Sequence, residues 1–259
     1  MSDDRQLRVE REPGTGVAWI TLSNPEKRNA LNADLVAGLK EALAALEEDG
    51  DVRVIGLRGD GPDFCAGADL REVRDSVEAG MMATLEDAES LGELFLALRR
   101  LPKPVVAAVH GNALAGGAGL ATACDLIVAS EDARFGYPEV KIGFVPAMVM
   151  AILRRSLGEK QAFELVATAE PVDAATARRY GLVCRVLEGE EPDGFHAAAE
   201  GFLEELAERS ASALALSKRL LYQLDGAGFE EGLQAGAEVN ALSRFTEDCR
   251  AGIERFLDG

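Results

Sequence analysis

The sequence predicts a layered α/β fold, on three observations. Apolar runs that read as strands are twice followed by a glycine-rich loop and then a helical segment: residues 52–57 lead into the loop 59–70, and Val105–Val109 lead into residues 111–119. Leu7–Glu12 and Val17–Leu22 flank Pro13-Gly14-Thr15-Gly16, a hairpin pattern. Beyond Phe144-Val145-Pro146 the chain becomes mainly helical. Strand–loop–helix repetition gathers loops where several turns can build one site.

The elements follow in order. Asn24-Pro25-Glu26 breaks the second strand of the hairpin, and a short basic segment, Lys27-Arg28, precedes a helix. Asn32 caps that helix, with Leu35, Val36, Leu39, Leu43 and Leu46 as its apolar stripe. Asp49-Gly50-Asp51 ends it. After the loop 59–70 a second helix begins near Asp69, residues 77–84 have no clear assignment, and Leu91, Leu94, Phe95 and Leu98 recur at helical spacing. Lys103-Pro104 opens the central strand. The turn 111–119 leads to a small-residue helix through Leu120, Ala121, Ala123 and Cys124, residues 126–129 read as a strand and 133–136 as a turn. Phe202, Leu203 and Leu206, then Leu214 to Leu221, mark the last helices. The length of 259 residues suits one large domain with an appendage, divided at 1–200 and 201–259.

Composition excludes several classes. Lys and Arg number 27 against 45 Asp and Glu, a formal charge of −18, which argues against nucleic-acid or anionic-membrane partners. No uncharged apolar run reaches the roughly 18 residues of a membrane span. Cys65, Cys124, Cys184 and Cys249 make neither a metal pair nor a disulfide framework, and the polar start MSDDRQLRVE lacks a signal-peptide core. The expectation is a cytoplasmic protein with free thiols.

The adjacent pair Gly116-Gly117 admits two readings. One is a tight turn allowing close packing. The other is an oxyanion site, because a strand that ends in glycines and opens a helix leaves backbone N–H groups free. The spacing is not that of a dinucleotide or phosphate loop, and neither a zinc-protease motif nor a serine-hydrolase elbow occurs. Of the two histidines, His110 reads as structural and His196 as lying on a surface helix. Cys65 reads as packing rather than as a nucleophile. Glu139, between Tyr137-Pro138 and Val140, is either a proton-transfer group in apolar surroundings or a surface acid paired with Lys141.

Four segments in order resemble the crotonase superfamily of enoyl-CoA hydratases and isomerases. They are Asn24-Pro25-Glu26-Lys27-Arg28-Asn29-Ala30-Leu31, Phe64-Cys65-Ala66-Gly67-Ala68-Asp69-Leu70, Gly111-Asn112-Ala113-Leu114-Ala115-Gly116-Gly117 through Ala123-Cys124-Asp125, and Phe135-Gly136-Tyr137-Pro138-Glu139-Val140-Lys141-Ile142-Gly143. A weaker likeness covers Gly181-Leu182-Val183 and Gly252-Ile253. The resemblance implies the ClpP/crotonase spiral of ββα turns, with a C-terminal helical region that builds trimers, often paired into hexamers.

It also implies an acyl-CoA thioester as substrate, with no metal or redox cofactor and coenzyme A arriving on the substrate. The enolate oxygen would meet the N–H groups of Ala68 and Gly116, and Glu139 matches the family's catalytic glutamate. Lys27, Arg28 and Arg71 would face the phosphates or adenine side of CoA. The pantetheine would thread between Ala66–Asp69 and Leu114–Gly117, with Ala30, Leu31, Leu70 and Gly119 also on the binding surface, and Leu91, Phe95 and Leu98 would line an acyl pocket or simply fill core. The family's basic, aromatic tail has no match in Leu257-Asp258-Gly259.

One departure bears on the reaction. Many hydratases carry a second glutamate where this chain has Gly119. Hydration of a 2-enoyl thioester then needs another group, or a water in the space left by Gly119, to compensate. Glu139 as sole base suits migration of a double bond from the 3- to the 2-position, and a CoA-binding or assembly protein without catalysis is the rival of another class. Hydration of 2-enoyl-CoA is the leading expectation.

Overall fold

The computed structural model describes residues 6–189 and 191–258, so part of the polar start read above, and Gly259, lie outside the described residues. Strands β1 (Leu7–Glu12) and β2 (Val17–Leu22) form the expected hairpin, with Leu7 opposite Leu22. Helix α1 (Ala33–Glu48) starts where Asn32 accepts the Leu35 N–H at 2.8 Å, and its five expected apolar residues are all buried. Strand β3 (Val54–Gly59) begins two residues later than expected, because Val52 is still bonded back to Asp49 and pairing with β2 starts at Val17–Val54. Residues 77–84, unassigned from sequence, are helical on both sides of a break: α2 (Leu70–Ala79) ends and α3 (Met81–Arg100) begins at Gly80, whose φ of 104° suits glycine.

Strand β4 (Val105–Val109) is followed by β5 (Asn112–Leu114), a strand within the segment 111–119 expected as a turn. Helix α4 (Gly116–Ala123) therefore starts at the first of the paired glycines, not after Gly119. Strand β6 (Leu126–Ser130) is as expected, but the supposed turn at 133–136 is a strand, β7 (Arg134–Gly136), with Phe135 fully buried. A single 3-10 turn, Pro138–Ile142, carries Glu139. Beyond it run α5 (Ala147–Ser156), α6 (Glu159–Thr168), β8 (Val172–Asp173), α7 (Ala174–Tyr180), β9 (Arg185–Leu187), α8 (Glu191–Ala207), α9 (Ala211–Gln223), α10 (Phe229–Ser243) and α11 (Glu247–Asp258).

The strands make two sheets, one in the order β1-β2-β3-β4-β6-β9 and one in the order β5-β7-β8. Thus β4 and β6 enter the large sheet, while their successors β5 and β7 enter the small one before a helix follows. These are the ββα turns the resemblance implied. Alternation along the strands sorts side chains between two cores. Val17, Trp19, Val54, Val106 and Ala108 pack against Phe195, Phe202 and Leu203 of α8, and Ile20, Leu22, Ile55, Leu57 and Ala107 face the larger core with α1, α3 and α4. Gly56 leaves room for the Trp19 ring, which a Cβ there would strike. Residue 200 falls within α8. No helix among the described residues is long and apolar enough to cross a membrane.

Candidate active site

Parallel pairing brings the glycine-rich segments to one end of the strands. Leu114 pairs with Gly136 in β5 and β7, so Gly116 and Glu139 both lie just past the same end of the small sheet. A parallel bridge between Cys65 and Ala113 sets the 65–68 segment beside β5, and a second, Leu31 to Ala68, adds the segment after Arg28. Loops beyond the carboxyl ends of parallel strands are the usual place for a ligand in such sheets.

The Ala68 N–H is held by its neighbours. Leu31 donates to Gly67 O at 2.7 Å and accepts from Asp69 N–H at 2.8 Å, which ties down the peptides on both sides of Ala68. Gly116 approaches from the other side: a Cβ on it would lie 3.7 Å from Ala68 N, and a Cβ on Gly67 would lie 3.3 Å from Gly116 N. Among the described residues neither the Ala68 nor the Gly116 N–H has an acceptor. Ala115, just before Gly116, sits at φ 51° and ψ −126° with its N–H on Gly136 O at 2.8 Å. A non-glycine residue there stores backbone strain. A Cβ on Gly117 would strike Cys65 O, which explains the second glycine by packing alone. Packing thus accounts for Gly117, and the Gly116 N–H is left for the oxyanion reading.

Glu139 is 8% exposed, and its Oε2 has no hydrogen-bond partner among the described residues. Burial pushes its carboxyl above the ordinary carboxylate range, and a hydrogen bond from its own backbone N–H only partly opposes this. The expected alternative partner, Lys141, instead pairs with Glu170 at 2.9 Å. The main chain of Glu139 is fixed by Gly143 and Phe144, whose N–H groups reach Glu139 O. Beneath it Tyr137, fully buried, meets the Thr122 hydroxyl of α4 at 3.1 Å and so ties the glutamate's turn to the glycine helix.

Gly119 is closely packed. A Cβ on Gly119 would lie 2.5 Å from Val149 Cγ2 and 3.2 Å from Phe95 Cζ. Val149 and Phe95 thus crowd the point where any side chain at this position would begin. Gly117 and Gly119 are buried beneath the turn, and Phe95 and Leu98 belong to the main core, with Leu91 packed against it. Val149 was not singled out from sequence; it lies thirty residues from Gly119 on a helix whose register only the fold supplies.

The basic residues flank the amides. Lys27 Nζ is 3.2 Å from Asp69, and Arg28 Nε is 3.6 Å from Asp63. Asp69 also caps α2 by accepting the Arg71 N–H. Leu70 and Arg71 are exposed, Ala66 and Ala30 half-buried and Leu31 buried. Cys65 donates to Asn29 O at 3.0 Å, and burial raises its thiol to about 12, so it is no nucleophile. His110 is bonded to Gly61 O at 2.8 Å, and His196 is half-buried edge-on against it rather than on open surface. A cavity of about 690 Å³ lies elsewhere, between the hairpin turn and Ala207-Glu208.

Residues 12–258 match the family model described as enoyl-CoA hydratase/isomerase. The chain is 44% identical to a Thermus thermophilus protein named as an enoyl-CoA hydratase, over 93% of this chain and 94% of that one. It is 36% identical to the 2,3-dehydroadipyl-CoA hydratase of Escherichia coli, over 93% and 92% respectively. Among solved structures, an enoyl-CoA hydratase from Mycobacterium smegmatis superposes with a TM-score of 0.92 at 33% identity, covering 98% of this chain and 97% of that chain.

Proposed function

The chain belongs to the enoyl-CoA hydratase/isomerase family, and from that premise we propose that it adds water to 2-enoyl-CoA thioesters to give 3-hydroxyacyl-CoA, as a carbon–oxygen lyase. The observation that supports the site is the pair of acceptor-free N–H groups, on Ala68 and Gly116, at the same strand end as a buried carboxyl with an unpartnered oxygen. Such donors aimed at a developing oxyanion lower a barrier by about 3–4 kcal/mol each.

In this reading the thioester oxygen sits between the two amides. Glu139 takes a proton from water as the water oxygen bonds C3, and the C2–C3 π electrons move toward the thioester oxygen, which carries the charge of the enolate. The enolate then takes a proton at C2 from Glu139, so the acid ends as it began. One carboxylate serves both transfers, which suits a site whose Gly119 side is closed by Val149 and Phe95. The step is redox-neutral and uses no cofactor beyond the CoA of the substrate.

Lys27, Arg28 and Arg71 supply positive charge for CoA phosphates on an otherwise acidic molecule. The free cysteines fit a reducing cytoplasm. Large exposed apolar side chains on α10, α11 and the turn between them, such as Phe229, Phe256 and Phe245, fit assembly into a homotrimer or a dimer of trimers.

The relatives' hydratase names do not favour the reading in which Glu139 only moves a double bond. Offering purified protein a 2-enoyl-CoA and a 3-enoyl-CoA tests this directly. Formation of 3-hydroxyacyl-CoA from the first, lost in Glu139→Gln, is expected. Migration in the second with no hydroxyacyl product would overturn the assignment.

A further inference from the structure

Asn29 has no part in the chemistry described so far, yet it is fully buried and left-handed, with φ 55°. Its side-chain amide reaches the carbonyl oxygens of Asp60 and Asp63, both at 2.9 Å, and of Phe64 at 3.2 Å. Its Oδ1 accepts the Asn24 N–H at 2.9 Å, and its own O accepts the Cys65 thiol. One side chain thus clamps the turn 24–29 to the turn 60–64. Three groups beside it carry this fixed geometry onward. Arg28 O accepts the Ala66 N–H at 2.9 Å, and the Leu31 N–H and O hold the peptides flanking Ala68.

We propose that Asn29 is the positioning residue of the Ala68 oxyanion donor: by clamping residues 60–64 to the Arg28–Leu31 backbone it sets where the Ala68 N–H points. The inference rests on the hydratase reading and deepens it. Only a short side chain with two donors and one acceptor that also tolerates positive φ satisfies these partners, and asparagine is the residue that combines them. Ala68 itself contributes only backbone, so its aim has to come from what holds the peptides on either side. A misplacement of about 1 Å in such a donor costs up to roughly 100-fold in rate.

The test uses Asn29→Gly, which keeps the positive φ and removes the amide. Its kcat on a 2-enoyl-CoA should fall about 10- to 100-fold with KM within about threefold, since the lost interaction matters at the developing charge. A second readout separates aim from mere stability. In the Glu139→Gln background a bound 2,4-dienoyl-CoA is not consumed, and polarisation of its carbonyl by the two amides moves its absorption to longer wavelength. That shift should be present with Asn29 and lost at saturating ligand with Asn29→Gly.

A kcat within twofold of the parent, or a retained shift, overturns the proposal. If Asn29→Gly does not fold, Asn29→Ser is judged by the same two readouts, and failure of both to fold overturns it too, because the residue then serves the fold as a whole. Absence of the shift even with Asn29 in place defeats the hydratase reading itself and is told apart by that.

Discussion

Glu139 gains a proton more readily folded than unfolded, because burial raises its pKa above that of an ordinary glutamate. The sign of the linkage follows. Its contribution to stability is fully present below the unfolded value and is lost as pH rises through the higher folded value, so at neutral pH the ionised side chain weighs against the fold. Glu139→Gln is therefore expected to be more stable than the parent at pH 7 in urea melts, with the advantage fading in acid. The same substitution should lower kcat by about 10²–10⁴-fold, the usual contribution of a proton-transfer group. In the parent, kcat/KM should fall as pH drops through that raised pKa, where the base is protonated. An acid limb at the ordinary carboxylate position, or a stability loss in Glu139→Gln at neutral pH, would count against the buried base. Glu139 was legible as a candidate because Tyr137, Pro138 and Val140 surround it in sequence. Its freedom from Lys141 was not, since Glu170 arrives from the end of α6.

At the scale of elements, the long amphipathic and β-branched segments were readable and the three-residue strands were not. Helix α1 announces itself through a cap and a stripe, and β4 through five consecutive buried residues. Strands β5 and β7 exist because they pair with each other, and β7 also with β8, while Asn112-Ala113-Leu114 and Arg134-Phe135-Gly136 carry too few residues to show a period. Those two strands carry the site, which is why the motifs were visible before their geometry. The contact between α4 and α5 gives a second prediction. Gly119→Ala would place a methyl 2.5 Å from Val149 Cγ2, an overpacking expected to cost about 1–3 kcal/mol by denaturant titration. Val149→Ala in the same chain should recover most of it, since contacting residues couple in a double-mutant cycle. Additive losses would show that Val149 is not what closes the Gly119 side.

Across the whole molecule, the C-terminal helices divide between one that is anchored and two that are bare. Lys218 of α9 is buried with its ammonium on Asp125 at 2.6 Å, and it also donates to Leu98 O and Lys103 O. Asp125 in turn accepts the Val105 N–H and the Tyr222 hydroxyl, so one charge pair ties α9 to α3 and to the start of β4. Burial drives the two groups toward neutrality, Asp125 upward and Lys218 downward, while each is held charged by the other. Removing one partner leaves an uncompensated buried charge, so Lys218→Met is expected to cost about 3–5 kcal/mol, and Lys218→Met with Asp125→Asn clearly less.

By contrast α10 and α11 bury no residue, yet Phe229 of α10, Phe245 in the turn between them and Phe256 of α11 are exposed. Side chains of that size on two successive helices and their connecting turn call for a cover, and the proposed homotrimer supplies one. Sedimentation velocity should give a trimer or hexamer for the parent. Phe229→Glu with Phe245→Glu should shift it toward monomer while near-ultraviolet circular dichroism of the body, with α9 still held by Lys218, stays native. A parent that sediments as a monomer at micromolar concentration would leave these helices without the proposed cover. Dissociation accompanied by loss of the body's signal would instead mean that the faces hold the fold itself together.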